Sequence, residues 1–294
     1  MKQKSLLLFL LTGILPVFVI IFLFRFNKLA GFLSLIAYLL LVFLLNINLF
    51  YRIKGQMEYG KGNLQQAEKW FSLAAGSKKA GTDVLVNYGF VLFKAGKLKE
   101  AEEVLLKAVK NSKNQDEKNL AKSNLALIVW KKGELDKAYE MLREVITEYR
   151  NTAVYGSLGY LAIEKGDLDE ALKINLEAYD YNSDNAIILD NLAHLYHLRG
   201  EMDKAKEMFE KLMEKEPRFP EAYFDYGKYL EDAGDLEKAR EMFSRALKCT
   251  FNFNNTITRE QVQQELDRLN SKTEENKVIL KRGKTADENY RNIS

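Results

Sequence analysis

Asp190, His194 and His197 are the side chains whose type and spacing come nearest to a metal site. They stand at positions i, i+4 and i+7, so a helix would place all three on one face. Carboxylate and imidazole groups are ordinary ligands of divalent metals. No fourth ligand is evident, and exposed histidines are common in binding grooves. We therefore predict no metal and no cofactor.

Motifs for catalysis are absent from the sequence. It contains no Gly-rich phosphate loop, no nucleophile motif, no cysteine pair and no HExxH. The single cysteine, Cys249, cannot form an internal disulfide, and we expect a buried, unreactive thiol. The acidic residues accompany lysines on predicted outer helix faces, as solvated ion pairs do. The sequence thus argues against an enzyme and offers no small-molecule site.

Composition and charge indicate an all-helical protein with two unlike parts. Three prolines in 294 residues, with abundant Ala, Leu, Glu and Lys, favour helices. The net charge of +3 comes from 44 basic and 41 acidic residues, and shows no reason to expect nucleic-acid binding. Residues 5–50 are almost all apolar, whereas the chain beyond residue 51 is rich in charge.

The apolar region, residues 1–50, predicts a hairpin of two transmembrane helices. Residues 5–24 carry no charge, and a helix of that length spans roughly 30 Å of hydrocarbon. Arg25 and Lys28 interrupt, and residues 29–50 form a second apolar run. A cleaved signal peptide is the rival interpretation of residues 1–24. The length of the run, the lack of a small-x-small cleavage site and the second run all disfavour it.

Flanking positive charge predicts the orientation of this hairpin. The side shared by the N-terminus and the large domain carries Lys2, Lys4, Arg52, Lys54 and Lys61. The turn between the apolar runs carries only Arg25 and Lys28. We therefore expect an integral protein of the cell membrane with its N-terminus and large domain in the cytoplasm. The second apolar helix is expected to continue unbroken into that domain near Asn48.

A repeated pattern of small residues organises the rest of the chain. A glycine, a polar residue, Leu or Met, two further residues and Ala recur six times, with glycine spacings of 34, 37, 33, 34 and 34 residues. The glycines are Gly62, Gly96, Gly133, Gly166, Gly200 and Gly234. Twelve residues before each Ala stands another small residue: Gly55, Gly89, Ala126, Gly159, Ala193 and Gly227. The pattern predicts pairs of helices that turn at glycine and cross closely.

This pattern resembles the tetratricopeptide repeat, a helix–turn–helix unit of about 34 residues that stacks into a right-handed superhelix. The resemblance covers residues 48–250 as six units and implies an α-solenoid. Asn175 departs from it by replacing an apolar core residue. We expect a capping helix at residues 256–271, with Val262, Leu266 and Leu269 facing the last repeat. Residues 272–294 are polar, and we expect them to be disordered.

The resemblance implies that the first helix of each unit lines a concave groove that binds peptides. The groove positions map to Val86, Asn87, Phe90 and Phe93, to Asn124, Leu127 and Trp130, to Tyr160 and Ile163, and to Asn191. The apolar and aromatic members predict a hydrophobic or aromatic peptide, because aromatic residues are common binding hot spots. The asparagines can pair with a peptide backbone. Alternatively, some of these side chains complete the core or contact the capping or transmembrane segments.

The predicted function is a membrane-anchored scaffold or adaptor that binds a protein or peptide in this groove. Two alternatives remain. The protein could be a chaperone-like factor that assists assembly of membrane or envelope proteins, or it could be a regulatory subunit of an enzyme complex. Fold-level resemblance supports binding in general and does not choose among these.

Overall fold

The computed structural model describes residues 13–77 and 80–271, and within these ranges it contains helices and no strand. The chain divides into two compact units, Met1–Ala80 and Gly81–Ser294. The all-α class predicted from the sequence is thus confirmed for the described part of the chain. The predicted tail, residues 272–294, and residues 5–12 of the first predicted apolar helix lie outside it.

Unit 1 holds two apolar helices followed by the first repeat. Helix α1 spans Leu15–Phe26 and α2 spans Lys28–Leu45, and the first repeat consists of α3 (Ile47–Gly60) and α4 (Leu64–Ala75). Asn27 has an extended backbone and separates α1 from α2. Its side chain caps α2, because the side-chain oxygen accepts hydrogen bonds from the backbone N–H groups of Leu29 and Ala30. Within the described residues, only α2 is long and apolar enough to cross a membrane by length and composition, and α1 is a shorter apolar helix.

Asn46 interrupts the helix that we expected to run unbroken from the second apolar segment into the first repeat. Its backbone has φ −111° and ψ 15°, outside the helical range, so α2 ends at Leu45 and α3 begins at Ile47. The Asn46 side chain donates a 2.8 Å hydrogen bond to the carbonyl of Val42. Asparagine favours such side-chain bonds to the backbone over a continuous helix. The prediction of an unbroken helix was therefore wrong.

Unit 2 contains five further helix pairs, the second to the sixth repeat. Their first helices are α5 (Thr82–Lys94), α7 (Gln115–Lys131), α9 (Thr152–Glu164), α11 (Ala186–Leu198) and α13 (Pro220–Asp232). Their second helices are α6 (Leu98–Asn111), α8 (Leu135–Glu148), α10 (Leu168–Tyr181), α12 (Met202–Glu214) and α14 (Leu236–Ala246). A last helix, α15, begins at residue 259 and continues to residue 271, where the description ends.

The six predicted turn glycines all have positive φ, between 72° and 89°. In the second repeat, for example, the Gly96 N–H donates to the carbonyl of Phe93, and the Lys97 N–H donates to that of Leu92. A side chain at this backbone angle would be strained, so glycine ends the first helix at low cost and lets the second begin.

In four of the six repeats the predicted small residue is a glycine, and it faces the residue sixteen positions later on the second helix. A Cβ atom on Gly89 would lie 2.6 Å from Leu105 Cγ, and one on Gly227 would lie 2.6 Å from Phe243 Cε1. Leu105 and Phe243 are fully buried. The two helices of a repeat therefore approach closely because the first lacks a side chain at the crossing point.

Asn175 occupies the equivalent position in the fourth repeat, where an apolar residue was expected. It is fully buried, and its amide donates to the carbonyls of Gly159 (3.1 Å) and Ala171 (2.9 Å). A Cβ on Gly159 would lie only 2.3 Å from Asn175 Oδ1. Gly159 thus makes room for the Asn175 amide, and the Gly159 backbone carbonyl accepts a hydrogen bond from one N–H of that amide.

Helix α15 covers the apolar end of the sixth repeat. Val262 and Leu269 are fully buried and belong to the same core cluster as Phe243, and Leu266 packs against that cluster. The Arg268 guanidinium bonds both carboxylate oxygens of Glu231 on α13. The terminal repeat therefore has a covered apolar face, as a solenoid end requires.

Candidate functional site

The first helices of unit 2 form one continuous surface, which we call the inner face. Neighbouring first helices contact one another, as α5 does with α7 and α9 does with α11. All ten predicted groove residues lie on these helices. Six of them are half-buried: Asn87, Phe90, Asn124, Leu127, Trp130 and Tyr160. Four are buried: Val86, Phe93, Ile163 and Asn191. The half-buried residues are the ones that a ligand could contact extensively.

Two of the three predicted groove asparagines use their amide N–H groups within the protein. Asn191 donates a 2.8 Å hydrogen bond to the carbonyl of Gly156 on the neighbouring first helix. Asn124 donates a 2.9 Å hydrogen bond to the carbonyl of Leu120 in its own helix. Asn191 thereby ties the fifth repeat to the fourth. Contact of these asparagines with a peptide backbone stays a prediction. Asn87 and Asn124 are half-buried, whereas Asn191 is buried.

Aromatic and cationic side chains cluster where the third and fourth repeats meet. The Trp130 and Tyr160 rings contact edge to face, with centroids 5.4 Å apart. Lys131 Nζ lies 4.4 Å from the centroid of the Trp130 ring. Burial lowers the pKa of Lys131 and raises the pKa of the Tyr160 hydroxyl, because each charged form would lose hydration. The cluster combines a large apolar surface with a partly desolvated cation.

The connection between α14 and the capping helix α15 lies on the inner face, in line with the alternative that some groove side chains contact the capping segment. We call residues 251–257 the inner segment. The Phe253 N–H donates a 3.3 Å hydrogen bond to the carbonyl of Lys94 at the end of α5. The Phe253 ring lies edge to face with that of Phe93, at 6.3 Å between centroids. The apolar residues of this connection, Phe251, Phe253 and Ile257, were the available signal.

Polar contacts hold the same segment between the third and the sixth repeat. Lys131 Nζ donates a 2.8 Å hydrogen bond to the Asn255 carbonyl. The Asn255 side-chain amide donates to both carboxylate oxygens of Glu221 on α13, at 3.0 and 2.9 Å. The Thr256 N–H donates to Glu221 Oε1 at 2.7 Å. One lysine and one glutamate therefore bind backbone and side-chain groups of an irregular stretch of chain. This stretch turns at residues 253–254, where the Asn255 N–H donates a 3.1 Å hydrogen bond to the carbonyl of Asn252.

An acidic group lies beside Glu221. Asp190 on α11 is buried, and burial followed by the charges of Asp225 and Glu221 raises the pKa of its carboxyl well above the usual range. His194 Nδ1 lies 3.6 Å from Asp225 Oδ1, while His197 Nε2 lies 2.8 Å from Asp232 Oδ2. The two histidines thus have separate carboxylate partners.

Metal-binding and reactive-thiol chemistry find no support in the described ranges, 13–77 and 80–271. No group of three or more His, Cys, Asp or Glu residues there could hold a metal ion. Cys249 is half-buried and not fully buried as expected, and this partial burial raises the pKa of its thiol. A raised pKa disfavours the reactive thiolate at neutral pH.

Comparison with known proteins identifies the repeats. Profiles described as "Tetratricopeptide repeat" match residues 89–153 and 197–254. The BBSome complex member BBS4 of Bos taurus is 29% identical over 179 residues, which cover 61% of this chain but only 34% of BBS4. The photosystem I assembly protein Ycf3 of Prochlorococcus marinus strain SARG is 31% identical over 139 residues, covering 39% of this chain and 80% of Ycf3.

A solved structure shows the same fold at lower sequence identity. The type IV pilus biogenesis factor PilW aligns with a TM-score of 0.55 and 13% identity, over 68% of this chain and 91% of PilW. Together with the periodic glycines, the close helix crossings and the similarity to Ycf3, this agreement identifies the fold. The chain belongs to the tetratricopeptide repeat family.

Proposed function

We propose that this protein is a membrane-anchored, non-enzymatic scaffold that binds an irregular peptide segment of a partner protein on the inner face. The observation that carries the proposal is the position of the inner segment. An irregular stretch of chain lies on the first helices, with an aromatic side chain against Phe93 and polar groups bonded by Lys131 and Glu221. The surface is therefore suited to an irregular peptide segment, in keeping with the general use of such solenoids as peptide-binding surfaces.

Partner capture tests the proposal. The full-length protein, purified in mild detergent, should retain a protein partner that the Phe90→Ala/Trp130→Ala double variant loses. Both side chains are half-buried, so their truncation should remove contact area without unfolding the helices. Leu106→Ala is the matched control, because Leu106 lies on a second helix and is 51% exposed. Equal capture by the double variant and the control would refute binding on the inner face.

The membrane anchor is the second part of the proposal. Helix α2 has a mean hydropathy of 2.3 over 18 residues, and only its Gly31 is buried. A Cβ on Gly31 would lie 2.4 Å from Phe24, so α1 and α2 pack closely as a hairpin. With the charge pattern at its ends, this supports an anchor that leaves the N-terminus and the repeats in the cytoplasm. Retention in the membrane after alkaline carbonate washing, and protease sensitivity of the repeats only from the cytoplasmic side, would support it.

A chaperone-like assembly factor is the second candidate. Its support is that Ycf3 is an assembly protein and PilW a biogenesis factor. An adaptor should retain one stoichiometric partner through washing, whereas an assembly factor should yield many substoichiometric clients. Quantitative mass spectrometry of the same purification separates the two. Co-purification of a single enzyme, with altered activity when the inner face is mutated, would instead indicate a regulatory subunit.

A further inference from the structure

The inner segment has the features of a bound ligand that belongs to the chain itself. It is irregular, it follows the last repeat, and its contacts reach first helices far away in the sequence. The bond from Lys131 to Asn255 joins residues 124 positions apart, and the bonds from Asn255 and Thr256 to Glu221 join residues about 34 apart. A linker needed only to connect α14 with α15 would not require these contacts.

Three residues of the inner segment make the contacts that define a recognition pattern, through an aromatic ring, a side-chain amide and a backbone N–H. Phe253 supplies an aromatic ring that packs against Phe93 and closely approaches the backbone of Gly96, where a Cβ would lie 3.2 Å from the ring. Two residues later, Asn255 places its amide against both oxygens of Glu221. Thr256 adds its N–H to the same carboxylate.

Glu221 is the residue that recognises this pattern. A carboxylate accepts hydrogen bonds and cannot donate them, so it selects a neighbouring side chain that donates. Here it accepts from the Asn255 amide and from the Thr256 backbone. The Lys131 ammonium can only donate hydrogen bonds, and it donates a 2.8 Å hydrogen bond to the Asn255 carbonyl. The two charges lie on α7 and α13, so they fix both the position and the direction of the bound chain.

We infer that the partner, in the function proposed above, binds through a peptide that forms a turn and carries an aromatic residue in that turn, followed two positions later by asparagine. This peptide replaces the inner segment on Phe93, Lys131 and Glu221. The inference rests on the proposed function and adds the chemical class of the ligand. Because the inner segment is tethered, its effective concentration is on the order of millimolar, and an external peptide must compete with it.

The test uses a fluorescent peptide with the sequence of residues 250–258 and the full-length protein in mild detergent. The Phe253→Ala/Asn255→Ala variant loosens the protein's own segment and should bind the peptide at least about tenfold more tightly than the wild-type chain. Glu221→Gln added to that variant should weaken binding by at least about tenfold, because glutamine leaves one acceptor oxygen for several donors. A peptide with alanine at both pattern positions should not bind.

Equal affinity of the wild-type chain and the loosened variant would overturn the inference, as would equal binding of the alanine peptide. Hydrogen exchange on the wild-type protein provides a check that does not depend on the loosened variant folding. The Phe253 and Thr256 amides should be protected in the wild type. Glu221→Gln should expose the Thr256 amide while amides within α7 and α9 stay protected. Exchange of both amides at the rate of an unstructured chain in the wild type would overturn the inference.

The outcomes separate this inference from the proposed function. If Phe90→Ala/Trp130→Ala loses the partner but the peptide does not bind, the scaffold function stands and the ligand pattern is refuted. If the double variant keeps the partner, the inner face is not the partner's site and both proposals fail, whatever the peptide does.

Discussion

Replacing Gly227 by alanine tests whether the two helices of a repeat depend on a missing side chain. The added Cβ would lie 2.6 Å from Cε1 and 2.8 Å from Cδ1 of Phe243. Phe243 is a fully buried ring, and Phe224 packs against it with ring centroids 5.5 Å apart. The ring cannot give way without disturbing the sixth repeat, so the two helices must separate.

The expected size follows from two opposing effects. Overpacking a filled core costs about 1–3 kcal/mol. Alanine gains about 1 kcal/mol over glycine in a helix interior. The 2.6 Å contact with a fully buried ring puts the overpacking cost in the upper part of that range, about 2–3 kcal/mol. We therefore expect Gly227→Ala to lower the free energy of unfolding by about 1–2 kcal/mol. Thermal unfolding of the full-length protein, followed by circular dichroism, should show a lower midpoint by about 2–8 °C.

Gly156→Ala is the matched control, because Gly156 also lies inside a first helix. There the new Cβ would approach Ile187 Cγ2 at 3.1 Å, but Ile187 is 49% exposed and can move. We expect Gly156→Ala to leave stability unchanged or to raise it slightly. If Gly227→Ala were as stable as Gly156→Ala, the close crossing would not govern the packing of the repeats, and this reasoning would be refuted.

Three further changes have defined outcomes. Gly133→Ala should lower the free energy of unfolding by about 1–2 kcal/mol through backbone strain alone, because φ at this position is +89° and the added Cβ meets nothing within 4 Å. Equal urea unfolding midpoints for the variant and the wild type would contradict this. Arg268 lowers the pKa of Glu231 to about 2, so their ion pair stabilises the fold above the usual glutamate pKa, and this stabilisation is lost as the pH falls toward 2. Arg268→Met should therefore lower the free energy of unfolding by about 1–2 kcal/mol at pH 7 and by nearly nothing at pH 2. Equal effects at the two pH values would contradict this and indicate that α15 is held by its apolar contacts alone. Burial raises the pKa of Asp190, so the folded state is favoured while this carboxyl is protonated, and the free energy of unfolding falls as the pH rises through the raised pKa. Unfolding measured from pH 4 to 8 should show this decline in the wild type and a smaller one in Asp190→Asn. Parallel curves for the two proteins would contradict it.

Features set by short stretches of sequence could be predicted. The turn glycines and the small residues at helix crossings follow from a local pattern with strong steric consequences, and the structure gives them positive φ angles and close approaches. The break at Asn46 is also local, but it depends on one side chain competing for the Val42 carbonyl, which periodicity does not report.

The inner segment could not be predicted because its contacts join distant residues. Nothing near Asn255 in the sequence indicates Lys131 or Glu221, since only the stacking of the intervening repeats brings them together. Burial of Phe93 and Ile163 has the same origin. The family pattern placed them on the first helices, but their exposure depends on what packs against those helices.

Site-specific photo-crosslinking tests the central claim, that a partner binds on the inner face, most directly. A benzophenone amino acid would replace Phe90 on α5 in one version of the full-length protein and Leu106 on α6 in the other. The account predicts a crosslinked partner from position 90 and none from position 106. Crosslinking from position 106 alone would contradict it and place the partner on the second helices.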